Sequence, residues 1–398
     1  MSKPHLSSSL FQNFFNSEKA GGLILICCTA ISMTIANSSL GPDFIHFWHL
    51  PATLHLGSVN IPFRIEEWIY DGLMTIFFLL VGLEIEREMY VGELSSIRNA
   101  ALPILAAIGG MLVPAWIHFM FNHGKPGQPG IGIPMATDIA FSLGVLSLIG
   151  KRIPLSLKIF LTALAIIDDL GAVIIIAIFY TSSFSFLYLT LGLGLFILLV
   201  LLNRTRFFSF WLYLPAGLLL WYFLYRSGVH PTLSGILLAF AIPFQKNKED
   251  QPSSRLQHAL HKPVNFLIIP LFALANTAIH LPAAWKDEIL SPNSLGIAIG
   301  LLLGKPLGIT LFSTLGIVLG IAKLPKGMNT NKLIGMGLLA GIGFTMSIFI
   351  SNLAFTGDPE MIQSSKVAVL IASLLAAILG WLVLKTDLRR TSINESVL

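Results

Sequence analysis

Asp168 and Asp169 stand side by side in a run that carries no other charge from Ile159 to Tyr180. An ionised Asp at the centre of a membrane helix costs roughly 2.5–3.5 kcal/mol on the most lenient insertion scale, and a pair about twice that, unless water, a cation or a proton relieves it. Carboxylate and hydroxyl oxygens suit hard cations such as Na⁺ or Li⁺. A carboxylate also binds H⁺. An Asp that holds either ion but not both couples two ion fluxes when it is exposed alternately to the two sides of a membrane. Other ionisable residues in apolar surroundings are few. Asp138 lies in Ala136-Thr137-Asp138-Ile139, Lys305 in Gly304-Lys305-Pro306, and Lys366 stands near enough to the end of its run to snorkel. Successive helix residues point about 100° apart, so Asp168 and Asp169 present different faces. One can face a water-filled cavity while the other turns toward a partner such as Lys305. Pairing that only locks helices together fits Lys305 with one Asp, but it leaves three acids against one base. No His or Cys cluster offers a transition-metal site, and the only cysteines, Cys27 and Cys28, read as packing residues. No cofactor is implied.

The elements that must hold these residues are membrane helices. Of 398 residues, 55% are hydrophobic and 11% charged, less than half the charged share of an ordinary soluble domain. Apolar runs of about 20 residues, each long enough to cross a hydrocarbon core of about 30 Å, recur from Gly21 to Leu384. A transmembrane β-barrel needs shorter, alternating segments. The expectation is an all-α polytopic membrane protein with twelve spans, at about 20–38, 68–90, 99–121, 131–150, 154–180, 185–203, 207–225, 229–245, 263–281, 294–320, 331–351 and 361–384. The chain reads as one transmembrane domain, with repeats at about 99–180 and 294–384 and an interface part at about 20–90 and 185–281. The N-terminal residues to Ala20 are too polar for a cleaved signal peptide; Leu10, Phe11, Phe14 and Phe15 can lie at the interface.

The net charge of +5 reads as a topology signal and not as a nucleic-acid surface. With the N-terminus inside, Lys151, Arg152, Lys158, Arg204, Arg206, Lys246, Lys248, Lys323, Lys326 and most other basic residues fall on one face, against Arg64, Lys125, Arg226 and Lys286 on the other. Both termini are therefore expected in the cytoplasm. On the external face, Leu54-His55-Leu56-Gly57-Ser58-Val59-Asn60-Ile61 alternates around Gly57-Ser58, a hairpin signal. A lone hairpin is marginal in water, so it lies on the protein or pairs with a second copy.

Two spans look interrupted. The fourth carries Gly130, Gly132 and Pro134 before Asp138, and the eleventh carries Gly341-Ile342-Gly343-Phe344-Thr345 at its middle. Glycine costs about 1 kcal/mol per helix position and proline removes a backbone donor. Each span is expected as two half-helices joined by extended backbone, which survives at membrane depth only where it is buried or lines a cavity. Each is second in a triplet of spans, and the triplets start on opposite sides, the pattern of an inverted repeat.

Ala136-Thr137-Asp138-Ile139-Ala140-Phe141, Ala163 to Ala172, Gly304-Lys305-Pro306-Leu307-Gly308 and Gly341 to Ser347 together resemble the NhaA family of bacterial Na⁺/H⁺ antiporters, from about residue 15 to 385. Inverted repeats with broken, crossed helices are described for that family, so the repeat pattern is not independent of the resemblance. The resemblance implies electrogenic exchange in a bacterial inner membrane, with more than one H⁺ entering per Na⁺ or Li⁺ extruded. It implies an ion and proton site of Asp168, Asp169, Asp138, Thr137 and Lys305, with the breaks at Pro134, Gly341, Gly343 and Thr345. It also implies a pH response at Glu84, Arg87 and Glu88, at Gln257, His258 and His261, and at His230; Gln257 stands where the family usually has an acid. Finally, it implies a homodimer through the hairpin at 51–64. Two other classes fit less well. An intramembrane aspartyl protease places its two acids on separate helices, and a Na⁺-coupled symporter for an organic anion needs a further polar pocket.

Overall fold

The computed structural model describes residues 18–57, 59–150, 153–180, 184–205, 209–244, 251–281, 288–325 and 327–397. Leu10, Phe11, Phe14, Phe15, Ser58, Lys151, Arg152, Arg206, Lys246, Lys248, Lys286 and Lys326 lie outside the described residues. Those described form helices with one two-stranded sheet. The helices are α1 (Glu18–Ala36), α2 (Gly41–His49), α3 (Ile65–Tyr90), α4 (Ile97–Asn122), α5 (Ile139–Leu148), α6 (Leu155–Phe179) and α7 (Phe186–Arg204). They continue as α8 (Phe210–Ser227), α9 (Leu233–Ala241), α10 (Pro252–Asn276), α11 (Pro292–Val318), α12 (Thr330–Ala340), α13 (Phe344–Ala354) and α14 (Pro359–Val397). Among the described residues eight spans are long and apolar enough to cross a membrane, or up to ten if the bent pairs α1–α2 and α12–α13 each count as one. The protein is thus a multi-pass, mainly helical membrane protein. α8 and α9 stand where two further spans are expected, but α8 carries Tyr, Trp and Arg226, and α9 has only 9 residues.

The chain divides into two compact units. One comprises Met1–Cys27, Ile97–Asp168 and Pro282–Leu398. In it, α4 and α11 approach so closely at Gly109 and Gly308 that a Cβ on either would meet the other's carbonyl oxygen. Small residues at such crossings let backbones touch, which is how membrane helices gain packing energy without a hydrophobic drive. The other unit comprises Cys28–Ser96 and Asp169–Leu281. Here β1 (Leu54–Leu56) pairs antiparallel with β2 (Val59–Ile61), Leu54 opposite Ile61, and Gly57 takes the left-handed turn conformation (φ +59°) that suits glycine. The hairpin is not suspended in water at its base. Ile61 and Phe63 are buried beside Trp221, with Trp68 and Tyr225 completing an aromatic cluster of stacked and edge-on rings.

One boundary is revised and two local features are added. The ninth span starts at Pro252 and not near 263, because the polar run Ser253–Lys262 is a helical extension of α10. α10 and α11 each widen into a π-helical stretch, Val264–Ile268 and Gly300–Gly304, two residues before Pro270 and Pro306. A proline ring clashes with the carbonyl four residues back, and one wide turn relieves that clash without ending the helix. The fourth span is interrupted as expected, with its first half in 3-10 form: Gln128–Met135 is a 3-10 segment, Ala136 is extended, and α5 begins only at Ile139.

Candidate functional site

Thr137, Asp138, Asp168 and Lys305 lie in the first unit, and their arrangement begins with the two interrupted spans. The α12–α13 joint bends by 47° at the expected break, and Gly341 and Gly343 on either side of Ile342 keep right-handed dihedrals. Space explains Gly341: a Cβ there would run into the Leu301 carbonyl oxygen of α11. Pro134 lies against Gly300 in the same way.

Hydrogen bonds join the two breaks. Asp138 N–H donates to Ile342 O at 2.7 Å, Ser142 Oγ to Leu339 O at 2.8 Å, and Ser347 Oγ to Ile133 O at 2.7 Å. Carbonyls at helix ends have no intrahelical partner, so these donors supply what the interruptions remove. Asp138 caps α5. Its Oδ1 accepts from Phe141 N–H at 2.9 Å, and its Oδ2 accepts from both N–H (3.1 Å) and Oγ1 (2.5 Å) of Thr345. An anion at a helix N-terminus faces the positive end of the dipole, and both oxygens of Asp138 are engaged.

Asp168 is held differently. Lys305 Nζ lies 2.5 Å from its Oδ2, and Thr137 Oγ1 donates to the same oxygen at 2.7 Å. Lys305 Nζ also donates to Thr137 Oγ1 at 2.8 Å. Thr137 has a second acceptor within reach, Ala340 O at 2.9 Å; with one hydroxyl proton it serves one of the two at a time. Asp168 Oδ1 has no hydrogen-bond partner among the described residues. Asp168 and Asp169 are each 1% exposed and Lys305 is wholly buried. Four sequence-derived residues, Thr137, Asp138, Asp168 and Lys305, therefore meet around the breaks, with Thr345. Asp169 follows Asp168 on α6 and is the first residue of that helix assigned to the second unit. The sequence reading assigned Thr345 only to the backbone of the break and missed its hydroxyl contact with Asp138.

The residues expected to respond to pH lie in the second unit and form separate groups. Glu84 of α3 hydrogen-bonds Gln257 of α10 and has Arg87 and Glu88 as charged neighbours. Arg87 reaches Glu88 at 3.0 Å. Two groups were not anticipated. The buried Glu86 accepts from Ser253 Oγ at 3.2 Å, and His230 Nδ1 lies 3.3 Å from Asp71 Oδ1. Ser253 and Gln257 are one helical turn apart, the spacing that puts both on the α3 side of α10. His258 and His261 are exposed, and His261 Nε2 lies 3.3 Å from Asn265 Nδ2. Among the described residues no cluster of three or more His, Cys, Asp or Glu is arranged to hold a metal ion.

Comparison with known proteins agrees with this geometry. The family model described as Na⁺/H⁺ antiporter 1 matches residues 12–384. A Na⁺/H⁺ antiporter NhaA of Dechloromonas aromatica is 55% identical over 378 residues, covering 94% of this chain and 95% of that protein. Those of Cytophaga hutchinsonii (51%) and Flavobacterium psychrophilum (54%) are matched over 388 residues each, 98% of this chain and 98% and 99% of theirs. With buried acids, a buried lysine and two interrupted spans in one unit, and a match running almost end to end, the chain belongs to the Na⁺/H⁺ antiporter 1 (NhaA) family.

Proposed function

We propose that the protein exchanges Na⁺ or Li⁺ for H⁺ across a bacterial inner membrane, with no cofactor and no covalent chemistry. The observation that carries this reading is Asp168, buried between Lys305 and Thr137 with one oxygen open, next to the equally buried Asp169. Na⁺ entering the Asp168–Asp169 oxygens competes with the Lys305 ammonium and with protons for the same charge. Once Na⁺ displaces it, the ammonium is left buried without its counter-ion, a costly arrangement that release of its proton removes. Alternating exposure of the site then moves Na⁺ outward and protons inward. More than one proton moves per Na⁺, with Asp169 and either Asp168 or Lys305 as carriers. Asp138 holds the breaks in register for this cycle, its helix-capping bonds keeping Thr137 against Asp168.

The finer assignments share this proposal. Both termini face the cytoplasm, and a homodimer forms through the 51–64 hairpin, whose Leu54 is exposed and whose strand edges have no further partner strand among the described residues. The pH response draws on Glu84, Arg87, Glu88 and Gln257, on His230 beside Asp71, and on His258 and His261 at the exposed face of α10. The test is reconstitution: proteoliposomes holding a pH gradient should lose it on addition of Na⁺ or Li⁺, with a current whose sign marks excess inward protons. A preserved gradient at saturating Na⁺ would overturn the exchange, and electroneutral exchange would overturn the stoichiometry.

A further inference from the structure

A second buried polar group in the first unit has no part in the exchange just proposed. His118 and Asn122 lie one turn apart on one face of α4, Asn293 sits in the first turn of α11, and Ser365 lies on α14, and all four are buried. His118 Nε2 is 3.2 Å from Asn293 Oδ1, Asn293 Nδ2 donates to Ser365 Oγ at 2.8 Å, and Asn122 Nδ2 donates to the carbonyls of His118 (3.0 Å) and Pro292 (3.1 Å). The histidine tautomer follows from the partners. Two groups compete for Nε2: Asn293 Oδ1, which can only accept, at 3.2 Å, and Asn122 Nδ2, which can only donate, at 3.3 Å; the shorter contact favours the proton on Nε2, which leaves Nδ1, without a hydrogen-bond partner among the described residues, as an acceptor. The partners are all neutral, so the group acts through geometry and not through charge.

We propose that His118, Asn122, Asn293 and Ser365 are positioning residues: a neutral brace that fixes the 3-10 half of the fourth span and thereby sets the site's affinity for Na⁺. The 3-10 segment lies directly on the brace. A Cβ at Gly127 would collide with Asn122 Oδ1, and one at Gly130 would stand 3.1 Å from Asn293 Oδ1. Eight residues of 3-10 helix have weaker hydrogen-bond geometry than an α-helix and hold their shape poorly alone. Yet the chain runs buried from Gly132 straight to Thr137 and Asp138. Thr137 therefore takes its place from two anchors, the brace before the segment and the bonds to Ala340 and Ile342 after it. Loosening the first lets Thr137 drift from Asp168 and Lys305 without touching either. His118→Leu or Asn293→Leu leaves the other partner buried and unsatisfied, the more damaging way to lose a hydrogen bond.

The inference rests on the exchange proposed above, and the wild-type protein is its control: wild-type proteoliposomes inert to Na⁺ would defeat that reading before the brace is judged. In exchanging vesicles, the Na⁺ dependence of H118L, N293L, S365A and H118Q decides. H118L and N293L should raise the half-saturating Na⁺ concentration by about fivefold, equivalent to about 1 kcal/mol at 1.4 kcal/mol per tenfold, with a smaller change in maximal rate. S365A, at the far end of the brace, should shift it by about twofold. H118Q keeps a side-chain donor for Asn293 and should recover most of the loss. Amide hydrogen exchange across 128–138 should quicken in H118L and N293L and return toward wild type in H118Q. An unchanged half-saturation in N293L and S365A, whatever the maximal rate, overturns the brace, as does H118Q as impaired as H118L. If H118L does not fold, N293L and S365A carry the decision.

Discussion

Asp138 and Asp168 are both buried aspartates at interrupted membrane spans, and they are held in opposite ways. Around Asp138 both oxygens are engaged: one by the α5 N-terminal amide of Phe141, the other by the amide and hydroxyl of Thr345. Around Asp168 one oxygen takes both an ammonium and a hydroxyl while the other takes nothing. Backbone amides cannot leave, whereas an ammonium can lose its proton and a hydroxyl can turn to Ala340. On the proposal above, the difference would separate a carboxylate that holds structure together from one that exchanges partners.

The comparison can be broken at several points. The largest effect should come from Asp169→Asn beside Asp168: Na⁺-driven dissipation of a pH gradient should fall to the level of protein-free vesicles, and normal exchange would remove Asp169 from the site. Next, Lys305→Ala leaves Asp168 buried with its ammonium gone, a change that costs about 3–5 kcal/mol for buried pairs. Thermal unfolding in detergent should show it, and Asp168→Asn in the same chain should recover part of the loss by removing the orphaned charge. Exchange that survives in Lys305→Ala but carries no current would mark Lys305 as a proton carrier.

Two threonines then sharpen the contrast. Thr345→Val removes a hydroxyl bond to an ionised group, worth about 1.5–3 kcal/mol, and should lower stability while leaving the half-saturating Na⁺ concentration within about twofold, a shift of about 0.4 kcal/mol. Thr137→Val should do the reverse, shifting half-saturation more than stability. If the two variants behave alike, Asp138 and Asp168 are not distinct in role. The smallest effect belongs to His258→Ala: this side chain is exposed on α10, so stability should stay within about 0.5 kcal/mol of wild type. A change in the pH profile of exchange in that variant would tie the exposed face of α10 to regulation.

Much of the frame was legible in the sequence because charge inside an apolar run is conspicuous. Asp138, Asp168, Asp169 and Lys305 stand out by cost alone, and Gly57 marks its turn. The hydroxyl contacts were not legible. Serine and threonine in helices usually bond their own preceding turn, as Thr75 does to Asp71 O and Ser351 to Ser347 O, so spacing does not single out Thr345 or Thr137. The glycines told only part of their reason. Those at 341 and 343 mark the break between α12 and α13, and at Gly341 there is the further requirement of room for a neighbouring carbonyl, which only the packed structure reveals. The start of α10 was missed because hydropathy stops at the membrane surface while a helix need not. His118 and Asn122 did leave a signal, two polar residues four apart in the otherwise apolar second half of α4, but their partners lie about 170 residues away and more.

In the proposed exchange, Na⁺ and protons compete for the Asp168–Asp169 carboxylates and the charge that Lys305 balances. Proton release on Na⁺ binding tests it most directly, measured with a pH electrode or indicator on purified protein in weakly buffered detergent solution. Wild-type protein should release protons as Na⁺ is added, Asp169→Asn should release none, and the Na⁺ concentration needed should rise by up to about tenfold per unit fall in pH for each proton displaced, so by more than tenfold where two compete. Na⁺ binding that is independent of pH and frees no proton would contradict the account.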